Sequence, residues 1–462
     1  EDLPTSVELY DLLNDIATGT ASLPEAFNIF TQSASATIDI GAADIRASTI
    51  QMDARVDSDT VIPTISDIQD AVLNGGGVLL SLQMISDYLS GELTEFLSAT
   101  GVFAAWYVKE VTTSVVRIGD NANLDADLDI VLSATTKSKE SNVVDNNIQA
   151  FAVTEVESNS KVTIGEGASL HAGNDILITT DAAIESSAKA KTAKNLGLQV
   201  GPDRTAIAVA IAKSFLHSNI NVAENAVIRS GADLTLHAKG EQVVSADAGA
   251  GVHVAGGLGI TFAVALPTAD VTTDVHGWLR SDSGTDADTG IIIHAELDTT
   301  EQSVAMSGLG GAQSPATNST LSQPVQNFLN VYVLPVVNAI FLNTVGSLVG
   351  SQLDLSTSTA VIESNNNVDA TVHGDATVGS MLDLNVESNL IARVRTFAES
   401  VVDQDPSVTA VGDVVSIASA VGDFNNQSTA TVHEGAVLDA SRELYVQATS
   451  EFPHHDPLVI EE

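Results

Sequence analysis

Two acidic stretches offer the oxygen donors that a hard cation needs. In SDSGTDADTG, Asp282, Asp286 and Asp288 lie in a segment where Gly284 and Gly290 bracket the last two. Calcium favours several carboxylate and carbonyl oxygens on a flexible loop, so these three aspartates are the candidate calcium ligands. In LDADLDI, Asp125, Asp127 and Asp129 alternate, which predicts three carboxylates on one strand face, a solvated face rather than a cage. Neither stretch has EF-hand spacing or a glycine-rich calcium nonapeptide. Calcium is thus the one cofactor suggested, and none is required.

Histidine supplies a second set. His276, His373 and His433 each follow a valine, in VHG, VHG and VHE, while His237 and His294 close LTLHA and IIIHA. Stacking of equivalent positions would align them in columns able to bind a transition metal or to sense pH. A repeated histidine is more often only the inheritance of a repeated surface turn.

Catalytic constellations are missing. No nucleophile elbow, phosphate loop, H-E-x-x-H or serine-triad signature occurs. Polysaccharide-cleaving β-helix enzymes pair carboxylates with basic groups in a groove, but here Lys161, Lys189, Lys191, Lys194, Arg204 and Lys213 are scattered. A carbohydrate-binding module needs exposed aromatics, and the chain has Trp106, Trp278 and five tyrosines. The sequence therefore reads as a non-enzyme, with the polysaccharide enzyme as the alternative and a non-catalytic carbohydrate module third. Asn318-Ser319-Thr320 and Asn426-Gln427-Ser428 are glycosylation sequons, of meaning only in a host that glycosylates.

Composition narrows the partners. Eighteen basic against 60 acidic residues give a formal charge of −42, which repels nucleic acid and anionic membranes. A hydrophobic content of 44% argues against disorder. Aromatics make up only 4%, so the core must be filled by small and β-branched side chains. The absence of cysteine excludes a disulfide framework, thiol chemistry and cysteine-based metal sites. The chain opens at Glu1 without a signal-peptide apolar region and reads as a mature product or a segment of something longer.

The elements that must carry these residues are repeats. VTIGEGASLHAGNDILI (Val162 to Ile178) returns as INVAENAVIRSGADLTL (Ile220 to Leu236), ATVHGDATVGSMLDLNV (Ala370 to Val386) and ATVHEGAVLDASRELYV (Ala430 to Val446). Seven copies begin near Ile38, Val116, Val162, Ile220, Thr273, Ala370 and Ala430. Each reads as short strands of period two broken by Gly, Asn or Asp. A strand of this kind cannot bury its apolar face alone, which predicts a stacked all-β solenoid, parallel β-helix-like. The length of a copy suggests two coils for each. Asparagines recur upstream of copies, at Asn159, Asn219, Asn365 to Asn367, Asn425 and Asn426; stacked amides would form a ladder, or the residues simply tolerate left-handed turns.

The grammar V-x-I-x-x-G-A-x-L-x-A followed by L-x-L-x-A resembles the repeats of very large bacterial surface proteins of the filamentous-haemagglutinin-like type, including leukotoxin-related filamentous adhesins. The resemblance covers about 35–56, 112–307 and 352–450. It implies an extracellular, cell-surface, elongated module that is adhesive or filament-forming, self-associating or bound to cell-surface ligands.

Three stretches change to helical period. SVELYDLLNDI (with Leu9, Leu12, Leu13 and Ile16) predicts a helix in an N-terminal segment 1–34. TISDIQDAVL has Thr64 as cap with Asp67 three residues on, inside an insertion 57–111. Ser322 to Gly350 predicts a third helical region within 308–351; Asn327, Asn330, Pro335, Asn338 and Asn343 interrupt it, so no membrane span is expected. The remaining divisions are a first repeat at 35–56, solenoid at 112–307 and 352–450, and a tail at 451–462. The short helices would serve contacts between neighbouring chains.

Overall fold

The computed structural model describes residues 26–59, 104–146, 149–192, 205–252, 258–282, 289–310, 353–403 and 413–452. They form three parallel seven-stranded sheets. The first holds β1 (Ala26–Ile40), β4 (Ala104–Ile118), β7 (Gln149–Ile164), β10 (Thr205–Val222), β13 (Leu258–Val275), β16 (Leu353–Val372) and β19 (Asp413–Val432). The second holds four-residue strands: β2 (Asp44–Ala47), β5 (Asn123–Ala126), β8 (Ser169–Ala172), β11 (Val227–Ser230), β14 (Trp278–Ser281), β17 (Thr377–Ser380) and β20 (Val437–Ala440). The third holds β3 (Ile50–Asp59), β6 (Ile130–Asn146), β9 (Ile176–Thr192), β12 (Leu234–Val252), β15 (Gly290–Gly310), β18 (Asp383–Asp403) and β21 (Leu444–Glu451). Three successive strands make one coil, and the seven coils are a parallel β-solenoid.

The seven repeat starts form a single register column. Ile38 pairs with Val116, Val116 with Val162, Val162 with Ile220, Ile220 with Thr273, Thr273 with Ala370 and Ala370 with Ala430. Each copy is therefore one coil, not two. It is long because its first and third strands run far past the apolar head that the grammar describes.

In cross-section a coil has three zones. At the head the three sheets enclose a triangular core of Ile118, Leu124, Ile130, Leu132, Ile164, Leu170, Ile176 and Ile178, all shut off from solvent; each contributes about 1.5–3 kcal/mol by burial. At the far end the first and third sheets face each other across a layer of Ala150, Ala152, Ala188, Ala190, Ala210, Ala246 and Ala248, small enough to let two sheets close without bulk. Between them lies a polar waist that the repeat pattern conceals. There Thr112 meets Ser138 (2.7 Å), Thr136 meets Ser158 (2.5 Å), Ser218 donates to Thr180 (2.9 Å) and Gln242 donates to Ser214 (2.6 Å). Hydroxyls from one sheet satisfy those from the other, while Glu301 Oε2 and Asn366 Oδ1 are buried in the same layer without a hydrogen-bond partner.

The corner after the first sheet is four residues long in five of the seven coils, and in four of these its third position is left-handed. Asn121, Gly167, Asn225 and Gly435 supply it with φ of 57°, 68°, 59° and 100°, the region that Gly and Asn tolerate best. The asparagines upstream of the copies are placed differently: they lie inside β7, β10, β16 and β19. Only Asn365 and Asn425 join amide to amide, at 3.0 Å; Asn219 instead donates to Thr272 (2.9 Å) and Asn367 to Asp270 (3.1 Å).

Strands extend beyond the expected solenoid limits. Residues 26–34, 104–111 and 308–310 belong to β1, β4 and β15, so they are not part of helical segments. The three expected helices themselves fall outside the described residues. Among those described there is no helix, and none long and apolar enough to cross a membrane.

Candidate metal centre

Stacking turns repeated histidines into columns. The first residue of the corner after the first sheet is Gly119, Gly165 and Ala223 in three successive coils, then His276, His373 and His433. Each of these histidines donates its backbone N–H to the valine that ends the previous coil's strand, Val222, Val275 or Val372, at 2.9 Å. The His276 and His373 rings lie 3.7 Å apart and 8° from parallel, and His373 and His433 lie 5.1 Å apart at 18°. Asp274 faces the Nε2 of His373 at 3.3 Å and Asp375 faces the Nδ1 of His276 at 3.3 Å.

The corner at His276 is two residues shorter than its neighbours, since β14 begins directly after Gly277. A Cβ on Gly277 would stand 2.6 Å from the carbonyl oxygen of Ala226, so only glycine fits this shortcut. Carboxylates of the coils on either side lean into the space: Glu224, His276 and Asp375 bring their donor atoms within 4.8 Å of one another. Glu224 and Asp375 are exposed.

The second histidine pair lies on the outer face of the third sheet. His237 of β12 and His294 of β15 are register partners, and their rings stack 4.7 Å apart at 7°. Two residues on, and hence on the same face, Glu296 sets its Oε2 3.6 Å from the Nε2 of His237 and 3.9 Å from that of His294. All three residues are half-buried. The Nε2 of His237 is sealed from solvent with no hydrogen-bond partner, while Asn389 Nδ2 lies 3.1 Å from His294 Nε2. Burial, and then the neighbouring His237, lower the proton affinity of His294 against the pull of Glu296. Glu296 is held below the usual glutamate value, first by the His237 imidazole facing it and further by the charges of His237, His294 and Lys239. Neutral imidazole and ionised carboxylate are the protonation states in which these groups ligate metals.

The candidate calcium ligands are not assembled by the described residues. Asp286 and Asp288 lie outside them. Asp282 accepts hydrogen bonds from Arg229 and Arg280; partial burial pushes its carboxyl up, but the two guanidinium groups outweigh this and hold it below the usual value. Asp125, Asp127 and Asp129 do not share a strand face, because β5 ends at Ala126 and the chain turns through 127–129. Asp125 faces His171 Nδ1 at 3.1 Å.

Asp129 belongs to a corner ladder that acidic composition alone did not reveal. Its Oδ1 accepts from Asn174 Nδ2 (2.8 Å) and from the N–H of Asp175 (3.3 Å). Asp175 accepts in turn from the N–H of Asp233 (3.0 Å), and Asp233 from those of Thr289 and Gly290 (2.8 Å each). The signal was present as an aspartate directly before the Ile or Leu that enters the third sheet in three successive copies.

Several of the dispersed basic residues are paired. Lys109 binds Glu155 and Lys139 binds Glu185, each at 2.7 Å, and Arg393 binds Asp298. Trp106 packs against the alanine layer rather than standing free. Comparison of the chain with protein-family models, curated proteins and solved structures gives no match.

Proposed function

We propose that this chain is a structural and adhesive extracellular protein, a β-solenoid segment of a surface filament or giant adhesin whose coil stack is continued end to end. The observation that carries this reading is the unbroken register column from Ile38 to Ala430 together with the state of its last coil. There the inward-facing Leu444 and Val446 are about half exposed, at 50% and 46%. Among the described residues, β19, β20 and β21 have a partner on one side only. A parallel edge of this length is a template for further strands, and a next coil would cover Leu444 and Val446 as their register partners Leu384 and Val386 are covered one coil earlier. The covering coil comes from a second copy or from further sequence of the same protein. The charge of −42 makes lateral bundling depend on salt and divalent cations.

Negative-stain electron microscopy of the purified chain, with calcium and with chelator, tests this. Filaments or end-joined rods are expected. Uniform single rods under both conditions, together with cleavage of a polysaccharide, would replace the reading by the enzymatic alternative.

A further inference from the structure

The outer face of the third sheet carries a donor set that the filament reading does not use. His237, His294 and Glu296 are contributed by two adjacent coils, and the parallel register brings them together: His237 stands beside His294, and Lys239 beside Glu296. The same column holds Thr179 in the preceding coil and Glu387 in the following one, so the two histidines occur where the column can act as a pair. Two imidazoles and one carboxylate on one face are the donors that divalent transition ions favour, with positions left open for water.

We propose that His237, His294 and Glu296 bind a divalent transition-metal ion of the zinc or cobalt class, which staples the fourth coil to the fifth. The distances suit it. With metal–donor bonds of about 2.0–2.2 Å, tetrahedral ligand atoms sit roughly 3.3 Å apart, and the Oε2 of Glu296 is already 3.6 and 3.9 Å from the two Nε2 atoms. The two Glu296 approaches need to close by a few tenths of an ångström, and the two imidazole nitrogens, within 4.8 Å of each other, must be drawn together by a tilt of the stacked rings. The buried Nε2 of His237, which has no hydrogen-bond partner, gives its lone pair to the ion. Asn389 must release His294, and rotation of its amide presents Oδ1 to the same point, a further oxygen donor. Lys239 is the competing cation beside Glu296.

The cluster of Glu224, His276 and Asp375 is the internal comparison. It offers two carboxylates and one imidazole at a more exposed corner, a harder donor set that discriminates less between calcium and zinc.

The test uses the full chain in high salt, so that diffuse binding by its acidic surface is screened, with cobalt(II) and then zinc(II) as the only probes. One cobalt(II) per chain is expected, with visible absorption of a low-coordinate nitrogen-containing site, displaced by zinc and not by calcium. His294→Asn and Glu296→Gln should each weaken binding by at least about ten-fold, the lower bound set by losing a group that merely supports a ligand. His276→Asn should leave it unchanged. Far-UV circular dichroism checks that the variants fold. In the unsubstituted chain, paramagnetic broadening of the His237 and His294 ring signals gives an answer independent of any variant. Cobalt binding that calcium displaces, or that follows His276 rather than His294, overturns the assignment.

Discussion

The Oδ1 of Asp175 accepts the backbone N–H of Asp233, one coil further along the stack, at 3.0 Å. With Asp129 before it and Asp233 after it, the same carboxylate position bridges four coils. A charge-assisted hydrogen bond of this kind contributes about 1.5–3 kcal/mol, and at a half-buried corner the lower figure applies. Asp175→Ala should therefore speed hydrogen exchange of the Asp233 amide by roughly ten-fold, the factor that about 1.4 kcal/mol represents. Asp175→Asn keeps an acceptor oxygen and should lose less. Equal exchange in all three chains would show the ladder to be incidental.

Glu301 sits in the polar waist with its Oε1 accepting from Ser364 (2.8 Å), Asn366 (3.0 Å) and Thr299 (3.2 Å). Burial pushes its carboxyl above the ordinary 4.5, against the pull of these donors. A carboxyl with a raised folded value binds its proton more tightly in the folded state. Its contribution is complete below the unfolded value and is lost as pH rises through the folded one. Burial raises Glu110 in the same direction. The free energy of unfolding should fall as pH rises from about 4.5 through the folded value, by up to about 1.4 kcal/mol per pH unit for each such proton. Glu301→Gln should flatten that slope; parallel slopes would refute the assignment.

Gly240 faces the head core from β12. A Cβ there would stand 2.8 Å from Val271 Cγ2 and 2.9 Å from Leu216 Cδ2 and Leu297 Cδ1. Gly240→Val should destabilise by about 1–3 kcal/mol through overpacking, despite the better strand propensity of valine. Leu170→Ala, in a fully buried position, should cost about 2–5 kcal/mol through the cavity it leaves. Denaturant unfolding of the two variants checks both, and a Gly240→Val chain as stable as the parent would mean that the three neighbours move aside freely.

Arg442 clamps the last coil to the one before it: its Nε reaches Asp383 Oδ1 at 2.6 Å and its Nη2 reaches Asp383 Oδ2. The guanidinium holds the Asp383 carboxyl below the usual aspartate value. Arg442→Ala should raise hydrogen exchange in β20 and β21 and leave β8 and β9 untouched. Uniform change along the stack would mean that the clamp is not local.

How far the sequence was legible depends on which zone of the coil a residue occupies. The head was readable: Val116, Val162 and Ile220 share an offset from the glycine-alanine corner, and that offset is the register. The histidine columns followed from the same rule. Glu296 was not assigned to them, because its approach to His237 needs the pairing of two strands that are far apart in sequence. The waist escaped notice since Ser and Thr alternate on both faces of β6 and β9, and hydroxyls carry no inward signature until their partners across the sheets are known. The alanine layer gives alternation without landmarks, so the length of a copy leaves both one coil and two coils open in the sequence. Asp129, Asp175 and Asp233 were visible at a constant offset but were absorbed into the general acidity of the chain.

The unequal spacing of the register column has a consequence under tension. If the chain is held near Ile38 and Ala430 and drawn apart, coils peel off singly, because the backbone bonds of one coil edge open in succession rather than together. Each release frees the residues between two equivalent positions: few between Val116 and Val162, many between Thr273 and Ala370. At about 3.4 Å per extended residue, every rupture has its own contour length. A force–extension trace would thus identify by step size which coil has let go, making the stack a ruler of its own unravelling.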